Sequence, residues 1–177
     1  MKLFKIFLGF FAIVLGIIII SRFFPHTYKV EKRITINKPV HEVFAYMGNL
    51  KNWEEWSLWN KSTDSTLHYF YNRKQDTLGA RQYIRGELVG NGYFEIKDYH
   101  KDSLLHFTLI VNDGDRTAAG TFLFKAETNR TTTLTWIDSG DVGFNPVKRF
   151  MIPFVTGNTA STLESGLASI KKSMEKR

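Results

Sequence analysis

Proton transfer in this chain would fall to a few side chains: the acids Glu87, Glu95, Asp138 and Asp141, and the histidines at 26, 41, 68, 100 and 106. The histidines stand singly, with no HExxH or His-x-His spacing, so no metal site is expected. Neither a GxSxG elbow nor a Gly-rich phosphate loop occurs, which removes the serine-hydrolase and nucleotide readings. Cysteine is absent, and with it disulfides, thiolate nucleophiles and cysteine-held zinc or iron–sulfur clusters. No cofactor is implied. Asp138 is the one catalytic candidate: it shares strand parity with Leu134 and Trp136 and so faces inward at a strand end. Desolvation there would raise its pKa toward general acid–base use. The plainer alternative is a solvated or Arg-paired carboxylate at a strand terminus.

The elements that would position these groups follow from periodicity. Tyr28, Val30, Ile34 and Ile36 alternate with Lys29, Glu31, Arg33 and Thr35, the pattern of a strand. Lys38-Pro39 then opens a helix on which Val40, Val43, Phe44 and Met47 form one face, ending at Gly48-Asn49. Leu50, Trp53 and Trp56, three apart, predict a second short helix. Six strands follow, at 66–71, 80–85, 92–99, 104–111, 120–126 and 132–138, separated by turn-rich segments at 72–79, 91–92, 112–115 and 128–130. Connections this short imply an antiparallel meander. The last helix carries Leu163, Leu167, Ile170 and Met174 on one face, with its start either at a Ser161/Glu164 capping box or nearer Pro146.

The expected fold class is therefore α+β: a strongly curved antiparallel sheet of about seven strands gripping a long C-terminal helix, with two short helices after the first strand. A flat sheet of this size would leave its edges and the helix uncovered. Such a grip encloses space, and aromatic residues at 15% of the chain make its inner wall large and apolar, suited to a hydrophobic ligand.

Ahead of this domain lies an unbroken apolar run from Ile6 to Ile20, with Lys2 and Lys5 before it and Arg22 after it. From Ile6 to Phe24 a helix reaches about 28 Å, against about 30 Å of bilayer hydrocarbon. No polar face exists for burial in a soluble core. The exit Ile-Ile-Ser-Arg-Phe-Phe-Pro lacks the small residues of a signal-peptide cleavage site, which favours an uncleaved anchor over residues 6–24. The chain thus divides into an anchor and linker, 1–27, and one domain, 28–177. Basic residues flank the run on both sides, so the positive-inside count leaves open which side carries the domain.

The net charge of +7 sits mainly at the anchor and in the C-terminal tail from Lys171 to Arg177, leaving the domain body nearly neutral. Without a basic stripe interleaved with aromatics, nucleic acid is not an expected partner. Nothing in the sequence sets the oligomeric state.

Residues 30–59, VEKRITINKPVHEVFAYMGNLKNWEEWSLW, resemble the opening of the START-related SRPBCC superfamily, in its polyketide cyclase/dehydrase-like branch. Asn52-Trp53, Trp56-Ser57 and Trp59 resemble that branch's Asn-Trp, Trp-Ser, Trp signature. The stretches 136–140, 143–146 with Arg149, and Gly166-Leu167 with Ile170-Lys171 resemble its last strand and helix. Leu58 departs from the pattern, since many relatives carry Pro there. The resemblance implies a helix-grip fold around an apolar pocket used for lipids, sterols, polyketides and similar molecules, with no fixed chemistry.

Residues expected at such a cavity are Trp56, Trp59, Tyr69, Tyr83, Phe107, Phe122, Trp136, Phe150, Phe154 and Leu167, whereas Trp53 is expected to be core. The tyrosines matter because a buried hydroxyl orients a ligand's polar group. Three functions remain open: a membrane-tethered binding domain for a hydrophobic small molecule or lipid, a cyclase/dehydrase-like enzyme using a cavity carboxylate or tyrosine, and an interaction module whose pocket is filled by its own side chains.

Overall fold

The computed structural model describes residues 2–74, 77–112 and 116–176. The turn positions expected at 75–76 and 113–115, and Arg177 of the basic tail, lie outside the described residues. Helix α1 (Lys2–Ser21) precedes strand β1 (Thr27–Ile36). Helix α2 (Val40–Gly48), a 3₁₀ turn at Leu50–Asn52 and helix α3 (Trp53–Trp56) follow. Strands β2 (His68–Tyr71), β3 (Arg81–Gly86), β4 (Gly90–His100), β5 (Leu104–Val111), β6 (Arg116–Thr128) and β7 (Thr131–Asp141) lead to helix α4 (Pro146–Glu175). All seven strands form one antiparallel sheet in the order β1-β7-β6-β5-β4-β3-β2. The expected meander is therefore present, with β1 closing it against β7.

Strand parity sorts the sheet into an inner and an outer face. Leu134 pairs with Phe124 and Ile34, Trp136 with Phe122, and Phe107 with Gly120, so these positions share the inner face. A Cβ at Gly120 would strike the Phe107 ring, so the strands accept glycine alone at this close approach. Helix α4 lays Leu163, Gly166, Leu167, Ile170 and Met174 onto that face, all of them buried. A Cβ on Gly166 would lie 2.6 Å from Trp136, so the glycine sets how near helix and sheet approach.

α4 also seals the open edge of β1. Lys171 Nζ donates to the Thr35 carbonyl at 2.8 Å, and the Asn37 N–H donates to Glu175 at 2.9 Å. These are groups an exposed edge strand would otherwise present for pairing with another chain. The helix begins at Pro146, where Asn145 caps it by accepting from the Lys148 N–H at 3.1 Å. Of the two starts the sequence allowed, the earlier is correct: Ser161 is mid-helix, and Glu164 pairs with Lys32 at 2.5 Å instead of capping.

The Asn-Trp pair has a structural purpose. The last carbonyls of a helix lack internal donors. Here Asn52 donates its amide to the Tyr46 carbonyl, and Trp53 donates its indole N–H to Met47, both at 2.8 Å. The pair thereby fastens the α2 end to α3. Asp64, beyond α3, performs a similar service for the β3–β4 hairpin, accepting from the Leu88 and Val89 N–H groups at 2.9 and 3.1 Å. Hydrogen bonding, first from the Thr66 hydroxyl, lowers its pKa to about 2.

Helix α1 is long and apolar enough over Leu3–Ser21 to cross a membrane, and its large apolar side chains are exposed, with only Ser21 at its end buried against the protein. A signal sequence passes the same test of length and composition.

Candidate functional site: an aromatic cavity under the last helix

Trp53 is completely buried and stands at the centre of the interior, its ring 4.8 Å from Phe107, 5.2 Å from Phe94 and 5.1 Å from Trp56. The rings meet mostly edge to face, the arrangement favoured by the aromatic quadrupole. Between this cluster and α4 remains a cavity of about 100 Å³, lined by Trp53 and residues 56–59, by Phe94, Phe107, Leu109, Ala118, Trp136 and Asp138, and by Thr162 and Gly166 of α4. The chain's four tryptophans all lie on its wall. Beside it runs an open groove of about 430 Å³, bordered by Met151, Phe154, Val155 and Thr159; Trp136, Asp138 and Thr162 line both spaces and mark the mouth.

The structure distributes the residues singled out in the sequence unevenly. Trp56, Trp59, Phe107, Trp136 and Asp138 line the cavity, and Phe154 borders the groove. Phe122 is fully buried behind them, stacked on Phe107 at 5.4 Å, and Leu167 is core. Tyr69 donates its hydroxyl to the Trp59 carbonyl at 3.1 Å and so holds the wall in place. Phe150 packs on Phe24 at 4.7 Å, at the junction of α4 with the end of α1.

Tyr83 requires correction. It pairs across the sheet with Tyr93, its ring 5.5 Å away, in an outer-face groove shared with Phe70 and Arg85. Ile84, its neighbour, is the residue turned inward, so the expected inner parity of β3 was off by one. Leu109, Ala118, Thr162 and Gly166 were missed. The available signal was an alternating run of small inward residues, Ala118 and Gly120, opposite bulky Leu109 and Phe107: missing side-chain volume marks where space remains.

Of the four acids, only Asp138 reaches the cavity. Glu95 lies on the outer face between Arg81 at 3.2 Å and Lys97 at 2.8 Å, and Glu87 is exposed in the β3–β4 turn. Asp141 is exposed and accepts from the Gly143 N–H and from His26. Burial pushes the Asp138 carboxyl up, against a smaller opposing effect from the Tyr28 hydroxyl, which donates to it. The same partnership raises Tyr28 to about 12, with burial again the largest cause.

A carboxyl raised by burial binds its proton more tightly folded than unfolded. Its favourable contribution is therefore complete below the unfolded pKa and lost as pH climbs through the folded one. Asp138→Asn, which keeps an acceptor for Tyr28, should raise the Tm at pH 7 and leave it nearly unchanged below about pH 4, the ordinary carboxyl range. Thermal unfolding at the two pH values checks this; a lower Tm at pH 7 would show that the charged carboxylate is stabilising.

Two polar atoms at this site lack partners. The indole nitrogens of Trp56 and Trp136 are buried and have no hydrogen-bond partner among the described residues. Both belong to cavity-lining rings. An unmet buried donor costs about 1–3 kcal/mol, which an acceptor brought by a ligand would recover.

A curved seven-stranded sheet closed by a long C-terminal helix, with two short helices after its first strand, is the helix-grip fold of the SRPBCC superfamily. The chain belongs to the family described as polyketide cyclase / dehydrase and lipid transport, whose model matches residues 27–175. Among solved structures, it is similar to norcoclaurine synthase from Thalictrum flavumn (TM-score 0.63, 9% identity, 85% of this chain and 95% of that one). It is also similar to the Aha1 dimer from Colwellia psychrerythraea (TM-score 0.57, 14% identity, 84% and 96%). A third is the di-domain ARO/CYC BexL of the BE-7585A biosynthetic pathway (TM-score 0.58, 16% identity, 84% and 46%). At these identities the likeness concerns the fold alone. A search of curated proteins returned no match.

Proposed function

We propose that the chain is a membrane-tethered binding domain that takes one end of a hydrophobic small molecule or lipid into the cavity beneath α4. The observation that carries this reading is the apolar cavity walled by four tryptophans and continuous, past Trp136 and Thr162, with the groove along α4. Its size limits the inserted part. About 100 Å³ is well below the roughly 300–1,000 Å³ of a site that engulfs a drug-sized ligand, so a single ring or short chain end enters while the remainder lies in the groove. The unpaired indole N–H groups favour an inserted end with an acceptor such as a carbonyl. The apolar α1, lacking a cleavage-like exit, supplies the tether. Lipid extraction and mass spectrometry on the full-length chain purified from its host membrane test the reading. A reproducible co-purifying hydrophobic mass, depleted in Ala118→Leu, supports it; identical extracts from both proteins refute it.

The inward Asp138 favours one second reading, an enzyme in which this carboxyl moves a proton on the bound ligand. With the extracted ligand in hand, Asp138→Asn would retain it but leave it unconverted. Conversion at the native rate removes Asp138 from the chemistry.

A further inference from the structure

Six of the domain's exposed large apolar side chains, from Phe144 to Val155, gather along the start of α4, whereas Leu58, Phe70, Leu78, Leu88 and Leu123 lie elsewhere on the domain. Val147, Met151 and Phe154 recur on one helical face and are 66%, 45% and 64% exposed. Phe144, just ahead of the helix, is 79% exposed. The opposite face of the same segment, Ile152 and Arg149, is buried. Along the second half, outward positions are instead Ser161, Glu164, Ser165 and Lys172. A helix segment apolar on both faces needs cover on its outer one.

What lies beside this face is the end of α1. Buried Arg149 donates through Nη1 to the Ser21 carbonyl at 3.4 Å and through Nε to Gly143 at 2.8 Å. The Phe24 ring packs edge-on against Phe150, and the Val142 N–H donates to the His26 carbonyl at 2.8 Å. The exposed apolar face of α4 therefore begins where the exposed apolar surface of α1 stops. Arg22 and Lys148, both exposed at this junction, are placed to meet anionic headgroups.

We infer that the segment from Phe144 through the start of α4 to Phe154 is a second membrane contact that lies in the bilayer interface and holds the cavity mouth against the lipid, so that the ligand enters from the membrane and not from water. The inference rests on α1 being the tether. Continuity with α1 selects a bilayer as the occupant of this face; amphipathic helices seat their apolar faces just below the headgroups in this way. Met151 and Phe154 both border the groove leading to the cavity, so a bilayer covering this face also covers the groove.

The absence of native cysteine makes the test direct. Single cysteines are introduced at exposed positions in the full-length chain: Ile13→Cys in α1, Val147→Cys and Phe154→Cys on α4, and Asn129→Cys in the β6–β7 turn at the opposite end of the sheet. Each is spin-labelled and reconstituted in vesicles of phosphatidylcholine with phosphatidylglycerol, and collision with oxygen and with a nickel chelate is compared. The expected result is loss of nickel access at 13, 147 and 154 with full access at 129. Labels at 147 and 154 as nickel-accessible as that at 129, with 13 protected, would overturn the inference and leave the tether standing. Nickel access at 13 would overturn the tether and the inference with it. Labels at 147 and 154 shielded from both reagents would show that protein, not lipid, covers the face, which also overturns it.

Discussion

Trp53→Ala should bring the domain to the edge of unfolding, the largest effect expected of any single substitution here. The ring is fully buried, touches Phe94, Phe107, Phe122 and Trp56, and its indole N–H satisfies the Met47 carbonyl at the end of α2. Large aromatic-to-alanine changes in cores cost about 3–5 kcal/mol. Loss of the hydrogen bond leaves a buried carbonyl without its donor, adding about 1–3 kcal/mol. Against a typical domain stability of roughly 5–15 kcal/mol, little would remain. Denaturant unfolding of the full-length chain, with Trp53→Phe as a partner that removes the N–H but keeps an aromatic ring in the core, separates most of the packing contribution from the rest. The phenylalanine variant should lose the hydrogen bond and a part of the ring packing, and remain folded. A shift below about 1 kcal/mol for Trp53→Ala would mean that the ring does not hold the α2–α3 corner on the sheet.

The second large effect is on binding. Ala118 lies on the cavity wall opposite Leu109, where its small side chain leaves space. Ala118→Leu extends three carbons into a volume of about 100 Å³ and competes directly with the inserted end of a ligand. Overpacking of this kind costs about 1–3 kcal/mol. Charged to the complex, that is a loss of roughly 5- to 150-fold in affinity. Because the apo cavity can take the added side chain, the Tm should change little or rise. Equal affinity in the two proteins would place the ligand elsewhere, in the groove alone or on the outer face around Tyr83 and Tyr93.

Most of the architecture is legible in the sequence because it rests on local signals. Alternation located β5 at Leu104–Val111 to the residue, and the i, i+3, i+4, i+7 pattern found α2. β6 and β7 extend beyond their expected limits, since Thr117, Ser139 and Gly140 also pair in the ladder, the last two although their types favour turns. The inner face of β3 was harder to read. Tyr83 and Ile84 are both good strand residues, and only the register with β4 decides which points inward. A bulge between Ile96 and Asp98 further breaks the simple period in β4.

The site was partly legible for the same reasons. Trp56, Trp59, Phe107, Trp136 and Asp138 belong to segments whose parity or spacing is plain. Ala118, Thr162 and Gly166 are small, and a small residue tells of a cavity only once its neighbours across the sheet and on α4 are known. The expected core role of Trp53 holds, yet its ring also forms part of the cavity wall.

The central claim is that the cavity admits a hydrophobic chain end, and the protein carries its own reporter, because all four tryptophans line that cavity and none lies in α1. The measurement is tryptophan emission of the full-length chain, in vesicles of unbrominated phosphatidylcholine, titrated with dibromostearic acid, whose bromines quench an indole only near contact. Saturable quenching at one acid per chain, strongly weakened in Ala118→Leu, is the expected result. Weak quenching that rises linearly with added acid and is the same in both proteins would contradict it, and would identify the interior as closed packing.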